Sequence, residues 1–215
     1  MSNIVFDHAE EYILGILPEE KGLLKSMRDY AQYKHIPIIE REVAEFLKFL
    51  LALKKPRKIL ELGTAIGYSA LVMASVLPTS QIDTVELFAE KAALARKMID
   101  KAQLGQTIKV HEADALDFLK ASQETYDFIF IDAAKGHYEE YIKEALRLLN
   151  RDGFILCDNI LFHGMVSSDH LVVRRKKTIV KRMRDMLPKL LHSKSLQASI
   201  LPLADGLLLI RRKDD

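Results

Sequence analysis

The chain has 215 residues, 49% of them hydrophobic, which is enough to bury one sizeable core and too much for a disordered or collagen-like chain. Thirty-two Lys and Arg against 30 Asp and Glu leave a formal charge of +2, so overall charge selects neither a nucleic-acid nor a membrane partner. The single cysteine, Cys157, excludes an intrachain disulfide and a four-thiolate zinc site, fits a reducing compartment, and leaves oxygen or imidazole to hold any metal.

In chain order, Met1 to Glu11 is acidic where a secretory signal is basic, and no apolar run approaches the ~20 residues of a bilayer span. The expectation is a cytoplasmic protein with no membrane partner. Pro18 followed by Glu19 and Glu20 predicts a helix start, with proline in the first turn and acids at the positive dipole end. Val43, Phe46, Leu47, Leu50 and Leu51 repeat at helical spacing and predict a helix ending near Lys54-Lys55-Pro56. Residues 1–55 therefore read as an N-terminal helical cap on a single domain whose core spans 56–215.

From Lys58 the texture becomes short apolar runs alternating with amphipathic segments, which predicts an α/β domain with a mostly parallel sheet buried on both faces. Strands are expected at Lys58–Leu62, Gln81–Glu86, Ile108–Ala113, Tyr126–Asp132 and Phe154–Asp158. Helices are expected near Tyr68–Leu77, Ala89–Leu104, Ala115–Ala121 and Tyr138–Leu149, the last stopped by Asn150-Arg151-Asp152-Gly153. Ala198–Leu203 and Leu207–Arg212, split by Ala204-Asp205-Gly206, predict an antiparallel hairpin at one side of the sheet.

Ligands of open α/β sheets bind beyond the carboxyl ends of the strands, and every predicted strand here ends on something polar. The loop Gly63–Gly67 lets the backbone turn sharply and approach a ligand, but it is not the Gly-x-Gly-x-x-Gly fingerprint that cradles a pyrophosphate. Glu86, about twenty residues on, suits the two hydroxyls of a ribose. Asp114 suits either an exocyclic adenine amine or the N-cap of the helix starting at Ala115. A glycine loop and a ribose acid without a phosphate grip describe S-adenosylmethionine better than a nicotinamide dinucleotide.

Asp132, Asp158 and Asn159 end two successive strands and, if those strands are neighbours, bring three oxygen-bearing side chains together. Such a set selects a hard divalent cation, Mg²⁺ or Ca²⁺. Lys135 lies on the same loop as Asp132, and like charge from a cation lowers its pKa toward that of a general base.

The runs Lys58-Ile59-Leu60-Glu61-Leu62-Gly63-Thr64-Ala65-Ile66-Gly67-Tyr68-Ser69, Phe130-Ile131-Asp132-Ala133-Ala134-Lys135 and Asp158-Asn159 resemble the metal-dependent O-methyltransferases of the catechol and caffeoyl-CoA type, from about His35 to Ile210. The likeness extends to the bacterial branch that methylates 5-hydroxyuridine at the tRNA wobble position, through His35-Ile36-Pro37-Ile38, Lys135-Gly136-His137-Tyr138, Leu161-Phe162-His163-Gly164, Arg174-Arg175-Lys176-Lys177 and Leu203-Ala204-Asp205-Gly206-Leu207. His163 departs from that pattern, which has lysine after Leu-Phe.

The resemblance implies a Rossmann-like methyltransferase fold with a seven-stranded sheet. It implies S-adenosylmethionine contacts from Ile38, Ser69, Glu86, Asp114, Ala115 and Asp132, with Glu61 and Gly63 lining the same pocket. It also implies a divalent metal, such as Mg²⁺, on Asp132, Asp158 and Asn159, and a homodimer. Lys135 is the expected base and Asp132 the residue shared by both sites. Arg174, Arg175, Lys176 and Lys177, followed by Lys181, Arg182 and Arg184, read either as a track for tRNA phosphates or as a solvated helix face. The absence of tryptophan argues against a large base-stacking platform. The expected activity is 5-hydroxyuridine methylation in tRNA; the alternatives are methylation of a small catechol and a non-catalytic, S-adenosylmethionine-binding RNA module.

Overall fold

The computed structural model describes residues 6–213. Met1 to Val5, part of the acidic opening segment, lie outside the described residues. Three helices precede the sheet, α1 (Asp7–Ile16), α2 (Gly22–Lys34) and α3 (Arg41–Lys54). They are followed by β1 (Lys58–Leu62), α4 (Tyr68–Val76), β2 (Gln81–Glu86), α5 (Ala89–Lys101), β3 (Ile108–Glu112), α6 (Ala115–Ala121) and β4 (Tyr126–Ile131). The chain finishes with α7 (Tyr138–Leu148), β5 (Leu149–Cys157), α8 (Lys177–Leu191), β6 (Leu196–Leu201) and β7 (Leu207–Arg212).

Among the described residues the strands form one seven-stranded sheet in the order β3-β2-β1-β4-β5-β7-β6. β1 to β5 pair in parallel, and β7 pairs antiparallel with both β5 and β6. This is a Rossmann-like doubly wound sheet closed by an antiparallel C-terminal hairpin, the architecture that the resemblance implies. Because side chains alternate across a strand, Ile59, Phe128, Phe130 and Leu156 bury against α2, α3, α4 and α5 on one face. Leu60, Leu62, Ile129, Ile131 and Ile155 bury against α6, α7 and α8 on the other. The apolar runs are continuous because both faces are covered.

The helical cap is tied to the core by polar contacts as well as by its apolar stripe. Val43, Ala44, Leu47 and Leu51 of α3 are buried, as the periodicity predicts. Pro18 and Glu19 do not open a helix: α2 begins at Gly22, and the Glu20 carboxylate is instead drawn inward to Arg28. Arg28 donates to Glu20 Oε2 at 2.7 Å, to the Ile39 carbonyl at 3.2 Å and to the Tyr68 hydroxyl at 2.6 Å. Tyr68 opens α4 and is almost fully buried, so one guanidinium joins α2, the Ile38-Ile39 linker and the helix that follows β1.

Two strands differ most from the sequence reading. β5 starts at Leu149, five residues before Phe154, because Leu149 pairs with Tyr126 and a register shift absorbs the polar stretch that looked like a helix stop. The hairpin's first strand runs Leu196–Leu201. The basic run leads into α8, whose Val180, Met183, Met186 and Leu187 form a buried stripe.

Replacing Arg28 with methionine keeps most of the volume but leaves the Glu20 carboxylate without its cation, with the Tyr68 hydroxyl as its remaining side-chain donor, and removes the donor to the Ile39 carbonyl. The variant is expected to lose about 1.5–3 kcal/mol, read in thermal unfolding as a Tm lower by roughly 4–10 °C.

Candidate active site

Beyond the carboxyl ends of β1, β2, β4 and β5 lies a cleft of about 690 Å³. Its volume falls in the range of small-molecule sites. Ile38, Gly63, Glu86, Asp114, Ala115, Asp132, Lys135, Asp158 and Asn159 all line it. The strand order reverses between β1 and β4, so the loops leaving these two strands diverge and open the crevice.

Gly63 follows β1 with φ +101°, and a Cβ there would sit 2.0 Å from the Asp132 carbonyl oxygen. Only glycine lets the two loops touch. Glu86 holds the neighbouring loop by accepting from Ala65 N at 2.9 Å, while its other oxygen accepts from Phe88 N at 3.0 Å. Asp114 serves as the N-cap of α6, its Oδ1 accepting from Leu116 N at 2.8 Å and Asp117 N at 3.1 Å, yet the residue still borders the cleft.

Glu61 and Ser69 are not on the cleft surface; both are buried beneath it. The Thr84 hydroxyl donates to Glu61 Oε2, and Oε1 has no well-aligned partner. Burial pushes the Glu61 carboxyl up to about 7, opposed by the Ser69 and Thr84 hydroxyls and assisted by the charges of Asp132 and Glu86.

At the β4 and β5 end, Asp132 and Asp158 flank Lys135. Lys135 Nζ donates to Asp132 Oδ1 at 2.8 Å and to the Tyr138 hydroxyl at 2.8 Å. Tyr138, fully buried, passes the contact on by donating to the Asp158 carbonyl at 2.8 Å. Asp158 is 1% exposed, and its Oδ1 accepts from Asn159 N at 2.6 Å. Burial raises the Asp158 carboxyl to about 7, the Asp132 charge adds to the rise, and Lys135 opposes it. Two carboxylates and the carboxamide of Asn159 thus border one cleft with Lys135 between the acids, a donor set that suits a hard divalent cation.

Arg174, Arg175, Lys176 and Lys177 lie outside the cleft lining. All but Lys176 are exposed, and the Lys176 ammonium lies 5.4 Å from the centre of the Phe162 ring, which does line the cleft. Arg182 and Arg184 have structural partners. Arg182 donates to the Gly136 carbonyl at 2.9 Å, and Arg184 holds the Val166 and Met165 carbonyls at 2.9 and 3.0 Å.

Sequence reasoning assigned no role to Tyr138, Tyr141, Phe162 or Asp205, all at or beside the cleft. Asp205 stood in the Leu203–Leu207 likeness and in an Asp-Gly pair that announced a turn, and neither told what the turn would touch. A second hollow of about 530 Å³ lies toward the amino ends of β1 and β2, on Lys58, Gln81, Asp83 and His111. Asp83 there is already satisfied by His111 at 2.6 Å and Tyr126 at 3.3 Å.

The sequence pattern of the O-methyltransferase family matches residues 16–213. A catechol O-methyltransferase of Niastella koreensis is 34% identical over 177 residues, covering 79% of this chain and 80% of the relative. Caffeoyl-CoA O-methyltransferase 2 of Populus trichocarpa is 33% identical, covering 96% of this chain and 89% of the relative. The crystal structure of an SAH-bound methyltransferase from Podospora anserina superimposes with a TM-score of 0.87 at 26% identity, over 97% of this chain and 95% of that one.

Glu61 generates a pH prediction. Its folded pKa lies above the unfolded value, so the stability it contributes is present below about pH 4.5 and is lost as pH rises through about 7. Glu61→Gln removes the titration. Urea midpoints of the ligand-free protein are expected to favour the variant over the parent more at pH 8 than at pH 5.

Proposed function

The chain belongs to the O-methyltransferase family, and from that premise we propose that it moves the methyl group of S-adenosylmethionine to 5-hydroxyuridine in tRNA with the help of a divalent cation. The observation that carries this reading is the convergence of Asp132, Asp158, Asn159 and Lys135 on the same cleft as Gly63, Glu86 and Asp114. A donor site and an acceptor site share one wall, and Asp132 stands in both.

The residues act as follows on this reading. Gly63 and Ala65 bring backbone close to the adenosyl group, Glu86 accepts the ribose hydroxyls, and Asp114 takes the adenine amine with the lone pairs its capping bonds leave free. Ile38, from the linker between α2 and α3, closes the cleft from the cap side. Asp132, Asp158 and Asn159 would hold the cation, and what such an ion supplies is charge stabilisation of the attacking oxygen and of the neutral form of Lys135. Lys135 takes the proton from the acceptor hydroxyl. Tyr138, bonded to its ammonium, keeps Nζ directed at the cleft. Binding both partners in line removes much of the entropy of encounter from the barrier.

An acceptor with two adjacent oxygens fits this site. In 5-hydroxyuridine these are the hydroxyl and the ring O4; the exposed charges of Arg174, Arg175 and Lys177, with Lys176 beside Phe162, favour a substrate that carries phosphates. A small catechol is the second reading, favoured by the Niastella relative. Exposed Tyr12, Ile16, Phe49 and Leu53 on α1 and α3 support association as a homodimer.

The test is methyl transfer to tRNA bearing 5-hydroxyuridine and, in parallel, to catechol. Chelation by EDTA or Asp158→Ala is expected to abolish turnover while calorimetry still detects S-adenosylmethionine binding; full activity in EDTA rejects the cation. Alanine at Arg174, Arg175, Lys176 and Lys177 together is expected to lower kcat/KM on tRNA by about tenfold or more and to flatten its salt dependence, with catechol turnover unchanged. Equal effects on both acceptors, or none on tRNA, reject the RNA assignment.

A further inference from the structure

The loop after β5 is wound in a way that needs external support. Asn159, Phe162 and His163 have φ of 53°, 50° and 56°, and Gly164 follows at 74°. Non-glycine residues rarely hold this left-handed region unless their surroundings impose it. Three of them within five positions is a concentration of strain in the segment that carries Asn159 into the cleft.

The support comes from the turn between β6 and β7. Ile160 N donates to the Gly206 carbonyl at 3.0 Å and Leu161 N to the Asp205 carbonyl at 3.0 Å. Gly206 packs so closely that a Cβ there would lie 2.7 Å from Leu161 Cγ. The Asp205 side chain adds the last restraint: its Oδ2 accepts from His163 N at 2.6 Å, and the side chain is only 15% exposed. The amide it holds belongs to a left-handed residue, the end of the loop farthest from β5.

We propose that Asp205 is a positioning residue that acts through the Asn159–Gly164 loop, fixing the orientation in which Asn159 faces Asp158 and Asp132. The inference rests on the proposed role of Asn159, but the restraint itself does not. A hydrogen-bond acceptor is what the loop backbone requires of this side chain; the His163 imidazole, 80% exposed and 4.0 Å from the same oxygen, adds a charge contact only when protonated. Asparagine at 205 offers an amide oxygen to the same N–H; alanine offers nothing.

Asp205→Ala and Asp205→Asn separate these roles, with hydrogen exchange of the free protein as the first readout. Exchange across the segment containing residues 159–164 is expected to quicken about tenfold or more in Asp205→Ala and to stay near the parent rate in Asp205→Asn. In turnover with 5-hydroxyuridine-bearing tRNA or catechol, Asp205→Ala is expected to lower kcat by about tenfold or more with KM for S-adenosylmethionine within about twofold, and Asp205→Asn to restore most of kcat. Unchanged exchange in Asp205→Ala overturns the proposal. So does an equal loss of kcat in both variants, which would assign the carboxylate's charge to the reaction itself. If the parent methylates neither acceptor, the proposed function fails while the exchange comparison still decides the restraint.

Discussion

The backbone contact between Gly63 and Asp132 is the constraint on which the site depends. β1 and β4 are neighbours that leave the sheet in the same direction and then part, one chain turning toward β2 and β3 and the other toward β5. Diverging loops open a crevice, but its width is set by how closely their first residues approach. A glycine at φ +101° permits the Asp132 carbonyl to occupy the space of a side chain. Asp132 is thereby held against the glycine loop on one side and, through Lys135 and Tyr138, against Asp158 on the other. Widening that contact would separate the two halves of the cleft.

Electrostatics places a second demand on the fold. Glu61, Glu86, Asp158 and the less buried Asp132 and Asp205 crowd one end of the sheet, with Lys135 bonded among them. Glu61 and Asp158 both have carboxyls raised to about 7, in each case first by burial and then by neighbouring acids. The ligand-free protein is consequently least comfortable at the pH where these groups ionise. A site that accumulates unpaired negative charge stabilises whatever cation enters it, and binding returns stability to the fold by mass action. On the proposed reading the entering charges are a sulfonium and a divalent ion.

The alternation of apolar runs with polar strand ends made the α/β layers and most of the cleft legible in the sequence, because both follow from local spacing. Glu86, Asp114, Asp132 and Asp158 could be placed at strand ends without knowing any tertiary contact. What escaped depends on partners distant in the chain. Pro18 and Glu19 carry every mark of a helix start, yet Glu20 is committed to Arg28 and Tyr68, the latter 48 residues away. Leu149 joins β5 because Tyr126 is beside it, and the polar residues that follow are carried out of register. Glu61 reads as one more cleft acid, but its alternation along β1 directs it opposite Thr84 and under the surface. The contribution of Asp205 was invisible for the same reason, since its target amide lies 42 residues upstream.

The basic run shows how structure divides a charge cluster that composition treats as one. Arg182 and Arg184 present donors to backbone carbonyls of the Lys135 turn and of the Met165-Val166 segment, so their guanidinium groups tie α8 to these loops. Arg174, Arg175 and Lys177 remain exposed, and Lys176 lies over the ring of a cleft-lining phenylalanine. Arg184, already donating to two carbonyls and to Asp169, has few bonds left for a phosphate, whereas the exposed Arg182 spends one donor on Gly136 and keeps the rest. On the tRNA reading, phosphates would meet the run Arg174–Lys177 where α8 begins, on the segment that reaches the cleft through Phe162.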